Sequence, residues 1–330
     1  LVTEYVERLI RYPGALQVLT FAAGRLRLVG VRAGGSAPLV GHPIRMLRDH
    51  LPDVEVRVVA VYRDGRSLEP GAELVLKEDD EVFFLAERDQ VRRVMSELRK
   101  EDNPAKRVVI AGGGSIGFRL ARMLEKTHHV KVIERDPKRA RHISEVLEHA
   151  IVLHGDAADE ELLIEENIDS ADVFAALTNS EEANILSAML AKRLGAAKVM
   201  ALINKPSYAE LMESGSIDVA ISPQSVTIGS LLAHVRRGDI VRVHSLKHGA
   251  AEAMEAIAHS EGGRSRVVGV AVGEIALRDG ARIGAIVRDQ KVIMTQDNTV
   301  VEEGDHVIIF LADRRHVEQV ERLFMTATPR

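Results

Sequence analysis

The sequence lacks cysteine and tryptophan altogether, and Phe and Tyr supply only 3% of its 330 residues. Without cysteine the protein has no disulfides, no thiolate nucleophile and no thiolate zinc site, which fits a reducing compartment. So few aromatic side chains argue against stacking platforms for single-stranded nucleic acid. A net charge of -5 provides no basic field for the phosphate backbone. We therefore predict no nucleic-acid partner.

Long hydrophobic runs are also missing. No apolar stretch approaches the roughly 20 residues of a membrane-spanning helix, and no signal peptide is visible. The longest runs, such as Val82–Ala86 and Val307–Ala312, are predicted to be buried strands. A hydrophobic content of 46% is typical of a globular protein, and the length predicts two or three domains.

The beginning and the end of the chain resemble each other. Three pairs of segments recur: Arg27–Val31 with Arg266–Val270, Val61–Gly65 with Ile286–Gln290, and Val82–Arg88 with Val307–Asp313. Each copy alternates short β-branched strands with turns and ends in a predicted short polar helix, at 89–98 and 315–323. The self-similarity predicts two copies of a small α+β lobe of roughly 80 residues.

An amphipathic helix is predicted before each copy, in Val2–Gly14 and in Val226–Gly238. A whole α/β domain precedes the second of these helices, whereas no such domain precedes the first. We therefore expect the chain to be the C-terminal part of a longer two-repeat protein, without its first α/β domain.

The middle of the chain alternates predicted strands and helices. The strands are Arg107–Ala111, Val130–Glu134, Ile151–His154, Val173–Leu177, Val199–Ile203 and Val219–Ile221. The helices are Ser115–Lys126, Lys138–Glu148, Glu160–Glu166, Glu181–Leu194 and Tyr208–Ser214, after a linker at Glu101–Lys106. Short apolar strands alternating with helices predict a doubly wound parallel sheet, so the fold class is α/β with a Rossmann sheet flanked by two small α+β lobes.

A glycine-rich loop joins the first of these strands to the first helix. It reads Gly112-Gly113-Gly114-Ser115-Ile116-Gly117. In this context Gly112 allows a tight turn, Gly114 lets the backbone approach a pyrophosphate, and Gly117 lets the helix pack closely on the strand. The amides near Ser115 and Ile116 then face a phosphate from the N-terminus of the helix, where the dipole favours anions. The alternative is that the glycines only pack the helix on the strand.

Three further polar positions follow strands at the same edge of the sheet. Glu134 ends the second strand about 20 residues after the motif, the spacing at which an acidic residue meets ribose hydroxyls. Its charge would repel a 2′-phosphate, so NAD(H) is favoured over NADP(H), although Arg135 beside it weakens that preference. Asp156 follows the third strand, and Thr178-Asn179 follow the fourth. The alternative for Asp156 and Asn179 is helix capping.

Catalytic residues do not stand out. His128-His129 are predicted at the end of the sheet opposite the ligand. His244 and His248 could share a helix face at metal spacing, but they lie beside a predicted strand and no Glu-containing metal signature surrounds them. We identify no Ser-His-Asp set, no paired carboxylates and no metal site from spacing. A repeated small lobe on both sides of a nucleotide fold favours a sensor, because a regulator must couple ligand binding to domain movement.

Several stretches together carry a family resemblance. They are Val108–Gly117, Val130–Asp136, His154–Ala157, Thr178–Asn184, Leu16–Leu28 and Ser222–Gly238. With these residues the chain resembles, over essentially its whole length, the TrkA family of peripheral NAD-binding subunits of bacterial Trk potassium uptake systems. Members of that family carry two tandem regulator-of-potassium-conductance (RCK) modules. Each module has an N-terminal Rossmann lobe, a crossover helix and a C-terminal lobe.

The resemblance implies a nucleotide site lined by Gly112 to Ile116, by Glu134 and by the Leu177-Thr178 loop. The complete set of predicted binding residues is Gly112, Gly113, Gly114, Ser115, Ile116, Gly117, Glu134, Asp156, Leu177, Thr178 and Asn179. Family members bind NAD(H), and some bind ATP or ADP. Many of them place a basic residue after the fifth strand, a position that only Lys205 could fill here.

The resemblance also implies a division of the chain and a partner. The implied parts are a crossover helix at 1–20, a first C-terminal lobe at 21–100, a Rossmann lobe at 105–223, a crossover helix at 224–245 and a second C-terminal lobe at 246–330. The implied partner is a membrane potassium transporter subunit of the TrkH or TrkG type. The implied assembly is a homo-oligomer, a dimer or a tetrameric ring, at the cytoplasmic face of the plasma membrane.

The function that follows is nucleotide-sensing regulation of potassium uptake without catalysis. The alternative is an NAD-dependent oxidoreductase whose catalytic residue is unidentified. The C-terminal lobes could in addition bind an effector of their own, since some related lobes bind cyclic dinucleotides.

Overall fold

The computed structural model describes residues 1–100, 104–205, 207–209, 215–227, 239–246, 251–260, 266–277 and 280–324. The chain forms two compact units. The first comprises Leu1–Pro13 with Asp102–Thr227, and the second comprises Gly14–Glu101 with Ile228–Arg330. No helix in the part of the chain that the structure describes combines the length and the apolarity that a membrane crossing requires.

The strands, in chain order, are β1 (Ala15–Phe21), β2 (Leu26–Arg32), β3 (Val56–Arg63), β4 (Arg66–Leu68), β5 (Glu81–Glu87), β6 (Arg107–Ala111), β7 (His129–Glu134), β8 (Ile151–His154), β9 (Val173–Ala176), β10 (Lys198–Leu202), β11 (Val219–Ile221), β12 (Ile240–Leu246), β13 (Ala251–Ile257), β14 (Ala281–Arg288), β15 (Lys291–Met294) and β16 (His306–Leu311). The α-helices are α1 (Val2–Arg11), α2 (Met46–His50), α3 (Val91–Leu98), α4 (Ser115–Leu124), α5 (Pro137–Val146), α6 (Glu160–Glu165), α7 (Glu181–Arg193) and α8 (Val317–Leu323).

The first unit contains a six-stranded parallel sheet in the order β11-β10-β9-β6-β7-β8. Counted within the sheet, this is the order 3-2-1-4-5-6 of a dinucleotide-binding fold, and the strand order reverses between β6 and β9. The predicted strands and helices between 107 and 203 are confirmed to within two residues at each end. The central strands are almost wholly buried, because helices cover both faces. Of the helix predicted at Tyr208–Ser214 and the linker predicted at Glu101–Lys106, residues 210–214 and 101–103 lie outside the described residues.

Helix α1 packs against α4 in the same unit and buries Val6, Leu9 and Ile10. The buried Lys198 lies at the start of β10 and donates from Nζ to the carbonyl oxygen of Leu9 at 3.2 Å. A cation at that position offsets the negative end of the helix dipole. The helix ends at Arg11, because Tyr12 precedes Pro13 and a residue before proline is disfavoured in the helical region.

The predicted extent of the first crossover helix, 1–20, is wrong, because β1 begins at Ala15. The second, predicted at 224–245, is wrong at its end, because β12 begins at Ile240. Both strands contain a bulge, after Ala15 in β1 and after Ile240 in β12. In β12 the buried residues are Ile240, Val243 and Leu246, every third residue, instead of every second residue as in a regular strand. Residues 228–238 of the predicted helix lie outside the described residues.

The second unit contains two five-stranded antiparallel sheets with identical topology. Their orders are β1-β2-β5-β3-β4 and β12-β13-β16-β14-β15. The predicted repeat is therefore confirmed as two α+β lobes, each followed by a short helix, α3 or α8. The hairpin turns at Asp64-Gly65 and Asp289-Gln290 both take left-handed backbone angles.

One predicted correspondence is wrong. Arg27–Val31 lies inside β2, whereas 266–270 forms a turn, and the counterpart of β2 is β13. The true partner of Gly269 is Gly41, since their φ angles are 80° and 85°. Their amides donate to Val301 and Leu76, each at 2.8 Å. Arg27–Val31 and 266–270 both contain apolar residues around a glycine. Such a pattern does not determine which segments of the two copies correspond.

The two lobes pack on each other within this unit. Gln17 on β1 donates from Nε2 to the carbonyl of Ser245 on β12 at 2.9 Å. A Cβ atom added to Gly284 on β14 would lie 2.5 Å from Cδ1 of Leu85 on β5. The close approach of the sheets explains why glycine stands at that position.

Candidate nucleotide-binding site

The glycine loop makes a tight turn between β6 and α4. Gly112 has a φ of 101°, in the left-handed region, and its amide donates to Ile133 on β7 at 2.8 Å. A Cβ atom at Gly112 would lie 2.9 Å from Cγ2 of Thr178, and one at Gly117 would collide with the carbonyl oxygen of Gly112. Any larger residue would therefore push α4 away from β6 or displace the Thr178 loop.

Gly114 differs from the other glycines of the loop, because a Cβ atom built on it meets no atom within 4 Å. It occupies the N-cap of α4, and the next residue, Ser115, is exposed. The first turn of α4 contains no acidic residue. Its amides lack partners inside the helix and carry the positive end of the dipole. Open space at Gly114 in front of such a helix end fits the phosphates of a nucleotide.

Glu134 is held directly beside this loop. Its Oε2 accepts a hydrogen bond from the amide of Gly113 at 2.7 Å, and its Oε1 accepts one from the amide of Asp136 at 2.8 Å. A Cβ atom at Gly113 would lie 2.5 Å from Cδ1 of Ile143. The carboxylate is half-buried, and each of its oxygens has a second lone pair available for a ribose hydroxyl.

Asp136 and Arg135 follow Glu134 on the exposed surface. Asp136 caps α5 by accepting from the amide of Arg139 at 2.8 Å. This hydrogen bond lowers the pKa of Asp136 below its ordinary value. A second anion is therefore fixed next to Glu134, which adds to the repulsion of a 2′-phosphate.

The fourth strand brings a second loop to the glycine turn. Leu177 is buried, and its amide donates to Ala111 at the end of β6 at 2.8 Å. Thr178 follows and packs against Gly112. The structure thus brings together the glycine loop, Glu134 and the Leu177-Thr178 loop around the point where the strand order reverses.

Asp156 and Asn179 are both exposed, and neither is the N-cap of a helix. Asp159 caps α6, and Ser180 caps α7 through its hydroxyl. Asp156 accepts instead from the amide of Ala158 at 2.9 Å. The capping alternative is therefore wrong for both residues. Asp156 follows the edge strand β8, which lies two strands away from β6.

Sequence reasoning missed the role of Asn184. This side chain is fully buried on α7, and its Oδ1 accepts from the amide of Thr178 at 2.8 Å and from the Thr178 hydroxyl at 2.7 Å. Its Nδ2 donates to the carbonyls of Thr178 at 3.1 Å and Leu202 at 3.0 Å. The signal in the sequence is an amide on a helix face that otherwise buries only small residues, Ser187, Ala188 and Ala191.

Two other residues singled out from the sequence, His244 and Lys205, lie against aromatic rings. His244 lies on β12, not on a helix, and packs edge-on against Phe21 with ring centroids 5.1 Å apart. His248 lies outside the described residues. The ammonium of Lys205 lies 4.7 Å above the ring of Tyr208. Within the residues that the structure describes, no group of three His, Asp or Glu side chains could hold a metal ion.

Comparison with known proteins places this architecture in a family. The TrkA-N domain model matches residues 108–223, and the TrkA-C domain model matches residues 28–99 and 264–325. A crystal structure of the GsuK RCK domain is similar over 98% of this chain and 69% of its own, with a TM-score of 0.52 and 20% identity. A GsuK channel described as bound to NAD is 19% identical with a TM-score of 0.52, over 98% of this chain and 57% of its own. At these identities the likeness shows the fold alone.

Sequence relatives are much closer. The Trk system potassium uptake protein TrkA of Vibrio alginolyticus is 54% identical over 324 residues, which are 98% of this chain and 71% of that protein. The protein of the same name from Halomonas elongata is 54% identical over 323 residues, with the same two shares. The shares do not by themselves support the expected loss of a first Rossmann lobe, which stays a prediction. On these matches the chain belongs to the TrkA family.

Proposed function

We propose that this chain is a nucleotide-sensing regulatory subunit of a potassium uptake system. The observation that carries the proposal is the meeting of three features at one edge of the parallel sheet. They are the open space at Gly114, the Glu134 carboxylate held against the glycine loop, and the Thr178 loop packed on Gly112. The relatives that are 54% identical are named for potassium uptake, which supplies the process that the nucleotide regulates.

NAD(H) is the nucleotide that the site supports best. The amides at the start of α4 would bind the phosphates, and Glu134 would accept hydrogen bonds from ribose hydroxyls. The carboxylates of Glu134 and Asp136 disfavour the 2′-phosphate of NADP(H). ATP and ADP share the adenosine and phosphate groups and remain the alternative ligands.

Regulation requires that the nucleotide bind two arrangements of the lobes with different affinity. We infer that the lobes implied by the family resemblance are the parts that move, with the first crossover helix ending at Arg11. The partner would be a membrane potassium transporter subunit of the TrkH or TrkG type, bound at its cytoplasmic side by a homo-oligomer of this chain.

Isothermal titration calorimetry with NADH tests the site. Gly114→Asp places a carboxylate in open space without steric cost, so the chain should fold and NADH should bind at least about tenfold more weakly. Glu134→Ala should weaken binding in the same direction. Glu145→Ala, which removes an exposed carboxylate from α5, is the matched control. Unchanged affinity in both site variants would show that the nucleotide does not bind here.

An oxidoreductase is the second function that a Rossmann sheet allows, and the named relatives do not favour it. Incubation of the protein with NADH and a panel of carbonyl substrates separates the two functions. We expect tight binding without oxidation of NADH, whereas steady turnover would identify an enzyme.

A further inference from the structure

The N-terminal end of α7 connects two loops at the carboxyl edge of the sheet. Asn184 joins Thr178, which follows β9, to the carbonyl of Leu202 at the end of β10. One turn earlier, Oε1 of Glu181 accepts from the amide of Lys205 at 3.0 Å. Five hydrogen bonds from two side chains thus hold the ends of both strands.

These two strands belong to one half of the sheet. The glycine loop and Glu134 follow β6 and β7, on one side of the point where the strand order reverses, and the Thr178 and Lys205 loops follow β9 and β10 on the other side. A dinucleotide lies across that point, with one mononucleotide unit on each half. Glu134 marks the β6-β7 half as the side of the adenosine ribose.

We propose that Asn184 is a positioning residue for the second half of a dinucleotide, the half that an adenosine nucleotide does not reach. The inference rests on the proposed function above. Asn184 has no exposed surface, so it acts through Thr178 and the Leu202 carbonyl rather than on the ligand. Thr178 in turn packs on Gly112, so its loop is held against the glycine turn.

A merely structural role makes a different prediction. A buried amide that only stabilised the fold would, when removed, weaken every nucleotide to a similar degree. A residue that positions the β9-β10 half would change the ratio of two affinities. NADH occupies both halves of the sheet, whereas ADP occupies the β6-β7 half and the central phosphate region only, so ADP is the internal reference.

The experiment measures NADH and ADP binding by calorimetry for the wild-type chain and three variants. Asn184→Ala should weaken NADH by about tenfold or more and ADP by less than about threefold. Thr178→Val, which removes the hydroxyl bonded to Asn184 and keeps the side-chain shape, should shift the ratio in the same direction by a smaller factor. Ser187→Ala is the matched control, because that buried hydroxyl lies on the same helix face and bonds to the carbonyls of Ala183 and Asn184 within its own helix.

Each result has one meaning. A larger loss of NADH affinity than of ADP affinity in the Asn184 and Thr178 variants, with an unchanged ratio in Ser187→Ala, supports the inference. Equal losses for both nucleotides, a larger loss for ADP, or no loss overturn it while leaving the proposed function intact. A wild-type chain that binds neither nucleotide refutes the proposed function itself. If Asn184→Ala fails to fold in circular dichroism, Thr178→Val decides the question alone.

Discussion

The two antiparallel lobes share a topology and a buried ion pair, but they differ at the face where they meet. In the first lobe, Oδ1 and Oδ2 of the fully buried Asp80 each accept from Arg63 at 2.7 Å. In the second lobe, both carboxylate oxygens of Asp305 accept from Arg288 at 2.8 Å. Each arginine also donates to a backbone carbonyl, Val75 or Val300. This ion pair ties the β3 or β14 hairpin to the loop before the next long strand, so the repeat retains the residues that hold one lobe together.

The face between the lobes has diverged. Gly30 on β2 pairs with Gln17 and Phe83, and a Cβ atom there would lie 2.6 Å from Cε1 of Phe83. The equivalent residue on β13 is Glu255, which is 3% exposed. Its Oε1 lies 2.6 Å from Nδ1 of His306, and its Oε2 accepts from the amide of Ala22 in the first lobe at 3.0 Å.

Ala22 and Ala23 both have left-handed φ angles, 46° and 52°, which are unfavourable for alanine. The second lobe therefore supplies a buried anion that holds a strained turn of the first, and the first lobe offers no equivalent group at Gly30. The two copies therefore share the ion pair that holds each lobe together, whereas the contact between the lobes is asymmetric.

The largest effect is expected from removing the buried aspartate that both lobes share. Asp80→Ala leaves the partly buried Arg63 without the carboxylate that binds it, which costs about 3 kcal/mol of the free energy of unfolding. Asp305→Ala should cost less, because Arg288 keeps a second ion pair with Glu302. Amide hydrogen exchange of β5 and of β16 measures each lobe separately.

Asp53→Ala provides the control for those two variants. Asp53 forms an exposed ion pair with Arg93 at 2.8 Å in the first lobe. Solvent screens such a pair, so its removal should change exchange very little. If the Asp80 or Asp305 variant is no more destabilised than this control, the buried pairs do not hold the lobes together.

The second prediction concerns the contact between the two lobes, where Glu255 binds the Ala22 amide. Glu255→Ala leaves the Ala22 amide without its acceptor at the contact between the lobes, at a cost of about 1–3 kcal/mol. Exchange of the Ala22 amide should become faster. Gly30→Ala costs a similar amount, because its methyl group meets the Phe83 ring, but it should leave the Ala22 amide protected.

Glu255→Gln separates the charge from the hydrogen bond, since glutamine still offers an oxygen to Ala22. We expect protection of that amide to be retained. If the Ala22 amide exchanges equally fast in all three variants, the turn depends on packing between the lobes and not on the hydrogen bond to Glu255. The proposed difference between the lobes would then be wrong.

The sequence predicts the parts of the molecule that local pattern determines. The order of strands from Arg107 to Ile221 follows from short apolar runs that alternate with helices, and the glycine loop follows from its motif. The register of the repeat could not be predicted at Gly269, because a glycine in an alternating apolar segment recurs along the chain. The boundary at 245 is implied by the resemblance and is wrong, because residues from Ile240 onward form a strand that pairs with β13.

The candidate site shows the same limit. Gly112 and Glu134 stand at positions that a motif specifies, and the structure brings them together. Asn184 ends the stretch Thr178–Asn184 that carries the resemblance, but that stretch does not show what its side chain contacts. Its importance depends on a contact with Leu202, which lies on a different strand and is brought near only by the parallel order of β9 and β10.

The smallest expected effect lies where the repeated strands end. Asp313, which follows β16, accepts hydrogen bonds from the Arg315 side chain at 2.6 and 2.8 Å and from the Arg315 amide at 2.9 Å. The side-chain hydrogen bond, followed by the backbone one, lowers the pKa of Asp313 from 3.8 to about 2. The first lobe has Arg88 at the equivalent position, and its amide donates to Arg25.

A carboxyl whose pKa is lowered in the folded state stabilises that state above its unfolded pKa and loses the contribution as the pH falls through the folded value. The contribution of Asp313 should therefore be complete above about pH 4 and disappear near pH 2. It should be small and sensitive to salt, because Arg315 is exposed. A carboxyl NMR titration should give a midpoint near 2 in the wild-type chain and a midpoint closer to 3.8 in Arg315→Ala. Equal midpoints would mean that Arg315 does not lower the pKa of Asp313, so that Asp313 adds no electrostatic contact at the end of the second lobe.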